Sequence, residues 1–267
     1  RVPRWLPDTL VDSGRQRAAI RLAAVARKSG MRKWFPSAVV RRLLTISAAI
    51  RKQESGSRST LDAYYAPNKR LKGEVALFTG CMQQAVDMQA LKATVRILTA
   101  IGYAVSVPSS QQCCGAMHAH AGYQQRAVDL EKSNLTVFAE KGFDALITVS
   151  SGCGSHLADI TGMDCPVMDA SAFVQQYGGI NDLPVAEIRR NIAVFPPCTL
   201  AAMRQQVQMM ALLRDLPGAE LHELQNMGCC GGAGLNLITQ QEIGGQLIRP
   251  IIKQLEASGV KIVATTN

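Results

Sequence analysis

The chain has 267 residues, 47% of them apolar and 18% charged, and carries a formal net charge of +9. This length and composition support a sizeable core and exclude a disordered or low-complexity chain. No apolar run reaches the roughly 18 residues of a membrane-spanning helix.

The charge is lopsided: residues 1–72 hold 17 Lys and Arg against 4 acidic residues, net +13, whereas residues 73–267 hold 12 against 16, net −4. A basic segment of this kind suits a solvated helical extension, with an acidic partner or an anionic membrane surface as the next reading. No nucleic-acid motif accompanies it, so nucleic acid is not expected as a partner. Residue 1 is Arg and no apolar stretch follows a short basic one, so no secretory signal is read and the chain reads as a fragment or a processed product.

In chain order, residues 14–29 and 37–53 set Arg among Ala, Ile, Leu and Val at helical spacing, which predicts two basic amphipathic helices, the second capped by Ser37. Residues 54–60 (ESGSRST) predict a linker. From 74 the texture changes. A strand is predicted over 74–81, a helix over 86–101 stopped by Gly102, a strand over 103–108, a helix over 121–141 stopped by Gly142 and a strand over 145–153. The order then repeats: a strand over 191–198, a helix over 199–213, a strand over 219–224, a helix over 238–257 and a strand over 260–265. The expected fold class is α/β: two tandem, internally duplicated βαβ-type domains with short, mainly parallel sheets, preceded by the basic helices. Their expected bounds are 1–72 for the basic segment, 73–185 for the first domain and 186–267 for the second.

Cysteine positions carry the duplication. Cys81 precedes Cys198 by 117 positions; Cys113 and Cys114 precede Cys229 and Cys230 by 116; LITVS at 146–150 precedes IVATT at 262–266 by the same 116. Cys153 follows Cys114 by 39 positions, and 39 positions after Cys230 lies two residues past Asn267, so the natural chain is expected to continue into Gly-Cys there. Without a secretory signal, these thiols point to metal or redox use rather than to disulfides. Each lies near the carboxyl end of a predicted strand, and parallel strands bring those ends to one sheet edge. Gly80, Gly115, Gly152 and Gly231 allow the backbone to approach a bulky inorganic core. Adjacent thiolates chelate one tetrahedral ion poorly, which favours a multi-iron site over zinc. The expected metal ligands are Cys81, Cys113, Cys114 and Cys153 in one set, and Cys198, Cys229 and Cys230 in the other. Cys165, before Pro166, breaks the pattern and reads as a small buried hydrophobe.

The pattern Cys-x31-Cys-Cys-Gly-x37-Cys, followed by Cys-x30-Cys-Cys-Gly, resembles the duplicated cysteine-rich CCG domains of heterodisulfide reductase B subunits, lactate-utilisation proteins and glycolate oxidase iron–sulfur subunits. FTGC (78–81), QQCCGAMHAHAG (111–122), ITVSSGCGSH (147–156), FPPCTL (195–200) and MGCCGGAG (227–234) are most similar to the glycolate oxidase subunit. That resemblance implies an electron-transfer subunit of a 2-hydroxy acid oxidising complex, with one or two iron–sulfur clusters (4Fe–4S, or a noncubane variant) and FAD on a flavoprotein partner. It also implies a cytoplasmic location, with the basic segment able to touch the inner face of a membrane and a quinone site. The family's ferredoxin-like domain has no Cys-x2-Cys-x2-Cys counterpart in this sequence. Heterodisulfide reductase subunits carry Cys-x-x-Cys where this chain has Ser150 and Thr266, so electron relay is expected over disulfide cleavage.

His118, His120 and His156 lie close enough in sequence to the cysteines to donate to sulfur, relay protons or ligate iron, though polar loop residues are the plainer reading. His222 on a strand reads as structural, and Met203, Met209 and Met210 as core. Gly232 and Gly234 superficially suggest a dinucleotide loop, but position 237 is Leu, which discounts it.

Overall fold

The computed structural model describes residues 3–12, 18, 60–139, 142–225 and 228–266. The expected basic helices and linker therefore lie, apart from Ala18 and Thr60, outside the described residues. The described part opens with α1 (Trp5–Val11). Two sheets follow. The first holds β1 (Tyr64–Tyr65), β2 (Gly73–Phe78), β3 (Tyr103–Ser106), β4 (Leu146–Thr148) and β5 (Val167–Asp169) in the order β1-β3-β2-β4-β5. Only β1 is antiparallel, paired on β3. The second holds β6 (Arg190–Val194), β7 (Ala219–Glu223) and β8 (Ile262–Ala264), all parallel, in the order β7-β6-β8. The expected α/β class with mainly parallel sheets is what the structure has.

The duplication extends to register. Ala76, Leu77 and Phe78 pair with Leu146, Ile147 and Thr148; 116 residues later Ile192, Ala193 and Val194 pair with Ile262, Val263 and Ala264. Because a one-residue slip would swap the two faces of a strand, equal register means that equivalent residues face equivalent ways.

The helices of the first unit are α2 (Cys81–Val86), α3 (Met88–Ala100), α4 (Ala116–His120), α5 (Gln124–Ala139), α6 (Ser151–Ala158) and α7 (Ala170–Tyr177). Those of the second are α8 (Cys198–Ala202), α9 (Gln206–Arg214), α10 (Asn236–Thr239) and α11 (Gln241–Ser258). The helices expected over 199–213 and 238–257 thus each span two, and the short α2 and α4 precede those expected over 86–101 and 121–141. Asp87, whose side chain accepts from Ala90 N at 3.2 Å, caps α3 and separates it from α2. Gly122, at φ 83°, separates α4 from α5. Arg204, at φ 57°, separates α8 from α9. The strand expected over 145–153 ends at Thr148, and α6 begins at Ser151, so Cys153 sits in a helical first turn.

Alternation along β2 builds both faces of the core. Val75 and Leu77 pack with Leu91, Leu98, Ile101, Val105 and Phe173. Ala76 and Phe78 pack on the other face with Leu130, Phe138, Leu146 and Leu157, and this face also receives Cys113, Cys114 and Cys165. Met209 is core beside Val194 and Leu200, as expected, and Met210 packs against them. His222 is half-buried on β7, and burial holds the Cys165 thiol above its ordinary range.

Several contacts join the two units. Gln205 accepts from Asp169 N at 2.7 Å and donates to the Val167 carbonyl at 3.1 Å. The Ser151 and Thr199 hydroxyls meet at 2.7 Å, and Ser151 N donates to the Thr266 carbonyl at 2.8 Å. Among the described residues no helix is long and apolar enough to cross a membrane.

Candidate metal centre

The first cysteine set assembles at the carboxyl ends of β2, β3 and β4. Gly80, at φ 62°, turns the chain out of β2 so that Cys81 opens α2. The loop after β3 is pinned by Gln111, whose Oε1 accepts from Thr79 N at 2.8 Å while Nε2 donates to the carbonyls of Leu77 at 3.2 Å and Pro108 at 2.9 Å. Next, Asn134 on α5, fully buried, brackets the cysteine pair: its Oδ1 accepts from Gln112 N at 2.9 Å and its Nδ2 donates to the Cys113 carbonyl at 3.0 Å. Gly115 then takes φ 97°, and a Cβ there would stand 3.2 Å from the Ala127 carbonyl. Cys153 arrives from the first turn of α6.

Cys113 and Cys114 are buried, and Cys81 and Cys153 are half-buried. The Cys81 thiol donates to Cys113 Sγ at 3.6 Å. Hydrogen bonds from the thiols of Cys114 and then Cys81 hold Cys113 well below the ordinary thiol range. The bond to Cys113 holds Cys81 far above that range, with burial adding to the shift. Cys114 is raised by its bonds to Cys113 and Cys153 and by burial. Among the described residues no group of three or more His, Cys, Asp or Glu side chains is arranged to hold a metal ion.

The donor set fits an iron–sulfur group on its own chemistry. Four soft thiols converge from three backbone segments, with an apolar wall behind them and positive-φ glycines at two of the turns. Gly80 and Gly115 take positive φ at the turns before Cys81 and after Cys114. Gly152 lies inside α6 beside Gly154, whose Cβ would meet Thr148 Oγ1 at 2.6 Å and Met203 at 3.0 Å.

The second set is looser. Cys198 opens α8 after Pro197 and is exposed, as is Cys229. Cys229 Sγ accepts from Gly231 N at 3.3 Å, and Cys230 packs with Ala193, Leu224 and Ile251. Gly231, at φ 72°, is the counterpart of Gly115, and a Cβ there would lie 2.7 Å from Gly244 Cα.

Three histidines border these sets. His118 Nε2 lies 2.9 Å from Asp8 Oδ1 on α1. His156 Nε2 lies 3.0 Å from Glu131 Oε1, an ion-pair distance but out of line for a hydrogen bond. His120 abuts Gly234 of the second loop, whose added Cβ would stand 3.3 Å from its Nδ1. Asp8 and Asn134 carried no sequence signal, since each acts through a partner more than twenty residues away in the chain.

Residues 75–158 and 192–267 match the cysteine-rich domain family CCG. The chain belongs to that family. The chain is 27% identical over 263 residues to the probable glycolate oxidase iron-sulfur subunit of Bacillus subtilis, covering 92% of this chain and 58% of that one. It is 25% identical over 231 residues to the glycolate oxidase iron-sulfur subunit of Escherichia coli, covering 78% and 55%. It is 28% identical over 220 residues to a subunit of the anaerobic glycerol-3-phosphate dehydrogenase of Escherichia coli, covering 75% and 54%. This CCG chain therefore spans little more than half the length of those relatives.

Proposed function

We propose that this CCG protein is the iron–sulfur electron-transfer subunit of a complex that oxidises glycolate or a similar 2-hydroxy acid. The observation that carries the reading is the convergence of Cys81, Cys113, Cys114 and Cys153 on one buried spot, together with relatives that are named iron–sulfur subunits. An iron–sulfur cluster held there supplies one-electron transfer. The chain's own residues position it: Gln111 and Asn134 fix the Cys-Cys loop, α2 and α6 present the flanking thiols, and the apolar face of the first sheet keeps water away. Cys198, Cys229 and Cys230 form the ligands of a second site. The units so defined are 73–185 and 186–267, after a basic segment over 1–72.

The partner is a flavoprotein carrying FAD, which takes the electrons from substrate and passes them through this chain to a quinone or another carrier. The complex works in the cytoplasm, with the basic segment toward the inner membrane face. The oxygen-bearing Ser150 and Thr266 supply no fifth thiolate to either set, which favours relay over disulfide cleavage. Anaerobic iron and acid-labile sulfide analysis tests the reading. Near four of each per loaded set is the expected result, and zinc without sulfide would sink it. Reduction by the flavoprotein plus glycolate, followed by EPR, tests the substrate.

A further inference from the structure

α1 lies against the segments that follow both Cys-Cys-Gly turns. Leu6, 1% exposed, packs with Met117 and Ala121 after the first turn and with Leu235 and Ile238 after the second, and Leu10 joins the same cluster. Val11 packs on the cluster that holds Cys113 and Cys114. The helix also packs against α2, whose first residue is Cys81. From its middle Asp8 meets α4, with Oδ1 2.9 Å from His118 Nε2. α1 thus touches the elements that carry or follow Cys81, Cys113 and Cys114, at the sheet edge where these thiols gather. Its own hold is slight. Seven residues are too few for a helix that stands alone, and no side chain caps its N-terminus. Leu6 and Pro7 are its buried residues, and the rest are half-buried or exposed. The other walls differ: β2 and β4 are paired on both sides within the first sheet, and α5 buries Ala127, Leu130, Asn134 and Phe138. Elements with few buried contacts open most readily, whereas central strands open only with the whole unit.

We propose that α1 is a strap over the first cysteine set: docked, it shuts the thiols away from solvent, and lifted, it opens them to the solutes that load or strip the site while both sheets stay folded. Leu6 is the anchor, because it joins the apolar residues that follow both turns, and Asp8 is the latch on α4. For the thiols themselves the inference stands on packing alone; that the solutes are iron and sulfide rests on the iron–sulfur reading. Cys165 supplies an internal reference. It is buried in the same apolar cluster as Cys113 and Cys114, but it precedes β5, at the amino ends of the strands, where Leu146 N donates to the Pro166 carbonyl at 2.9 Å. A lifted strap bares Cys113 and Cys114 and leaves Cys165 covered, whereas a loosened unit bares all three.

The test is iodoacetamide labelling of the full chain in metal-free form, read peptide by peptide by mass spectrometry. The variants are Leu6→Ala and Asp8→Asn, with Trp5→Ala, 53% exposed on α1, as the control. Labelling of Cys113 and Cys114 is expected to quicken by about tenfold in Leu6→Ala and by less in Asp8→Asn, because a buried thiol reacts in proportion to how often its cover opens. Trp5→Ala is expected to label like wild type, and Cys165 is expected to keep its rate in every variant. Unchanged labelling of Cys113 and Cys114 in Leu6→Ala overturns the inference. So does Cys165 quickening in step with them, because the whole unit would then be opening. A second measurement uses anaerobic reconstitution in a Cys229→Ser, Cys230→Ser background, which confines loading to the first set. There Leu6→Ala is expected to take up iron faster and to lose it faster to EDTA, at an unchanged final iron content. A lower final content with wild-type rates overturns the strap, because Leu6 would then support the site and not cover it. A background chain that takes up no iron or sulfide sinks the iron–sulfur reading, and the labelling of the metal-free chain still decides the strap.

Discussion

The two cysteine sets share a motif and a sheet register, yet one is closed and the other open. In the first, an amide from α5 grips the cysteine pair itself, through Gln112 N and the Cys113 carbonyl. The residue 116 positions after Asn134 is Pro250, which has no side-chain amide to offer. The second loop has an amide clamp too, but Gln254 grips Gln225, four residues before Cys229, with bonds of 2.8 Å to its N–H and carbonyl. Entry to the first cysteine differs as well: a left-handed Gly80 before Cys81, and Pro197 at φ −69° before Cys198. The first sheet is also wider, since β5 covers β4 while β8 is an edge strand with Ile262 and Val263 exposed. Repeating a motif places ligands at equivalent points, but closure of the pocket depends on side chains that the motif does not contain.

That contrast can be broken most sharply at the ligands. Replacing Cys114 with Ser is expected to remove most of the iron and sulfide from the first set, whereas Cys229→Ser leaves the first set loaded; metal and sulfide analysis per chain reads both. The clamps come next. Asn134→Leu leaves the buried Cys113 carbonyl unpaired, at about 1–3 kcal/mol, and also releases the N–H of the exposed Gln112. Gln254→Leu exposes its partner to water and should cost under about 1 kcal/mol. Urea midpoints rank the two, and the reverse ranking would end the distinction between closed and open loops.

A smaller effect concerns Asp169, 1% exposed at the junction of the units, whose carboxyl is held above its ordinary value of 3.8 chiefly by burial. A raised folded-state value favours the neutral acid, so its stabilisation is present below pH 3.8 and fades as pH rises through the folded value. Asp169→Asn, which still offers Ser171 N an acceptor, is expected to flatten that decline and to raise the melting temperature at neutral pH. Smallest is a difference in rate alone. In metal-free protein Cys198 and Cys229, both exposed, should be alkylated about tenfold or more faster than buried Cys114, as read by peptide mass spectrometry.

Much of this arrangement was legible in the sequence, for particular reasons. The order of the strands and the cysteine positions follow from local patterns, because an apolar run bounded by glycine has few alternatives. The β5–α7 pair was not predicted: Val167–Asp169 is only three residues long, and it is a strand because β4 pairs with it. The split of the helix expected over 199–213 depends on Arg204 adopting a left-handed conformation, which its residue type does not favour. Ligand spacing was visible, whereas the grip of Asn134 and the reach of Asp8 to His118 were not. Those contacts span 21 and 110 positions and are fixed only by the finished packing.

One short hydrogen bond has a wider meaning. Ser151 N donates to the carbonyl of Thr266, and Thr266 lies 116 positions after Ser150, so the neighbour of one segment binds that segment's own copy. A patch that meets itself is how an isologous dimer is recognised. The two halves therefore meet there through equivalent segments of a repeat written into a single polypeptide. Once joined in one chain, each half is free to diverge: Asn134 in one and Pro250 in the other is a difference that no symmetric pair of identical chains could hold.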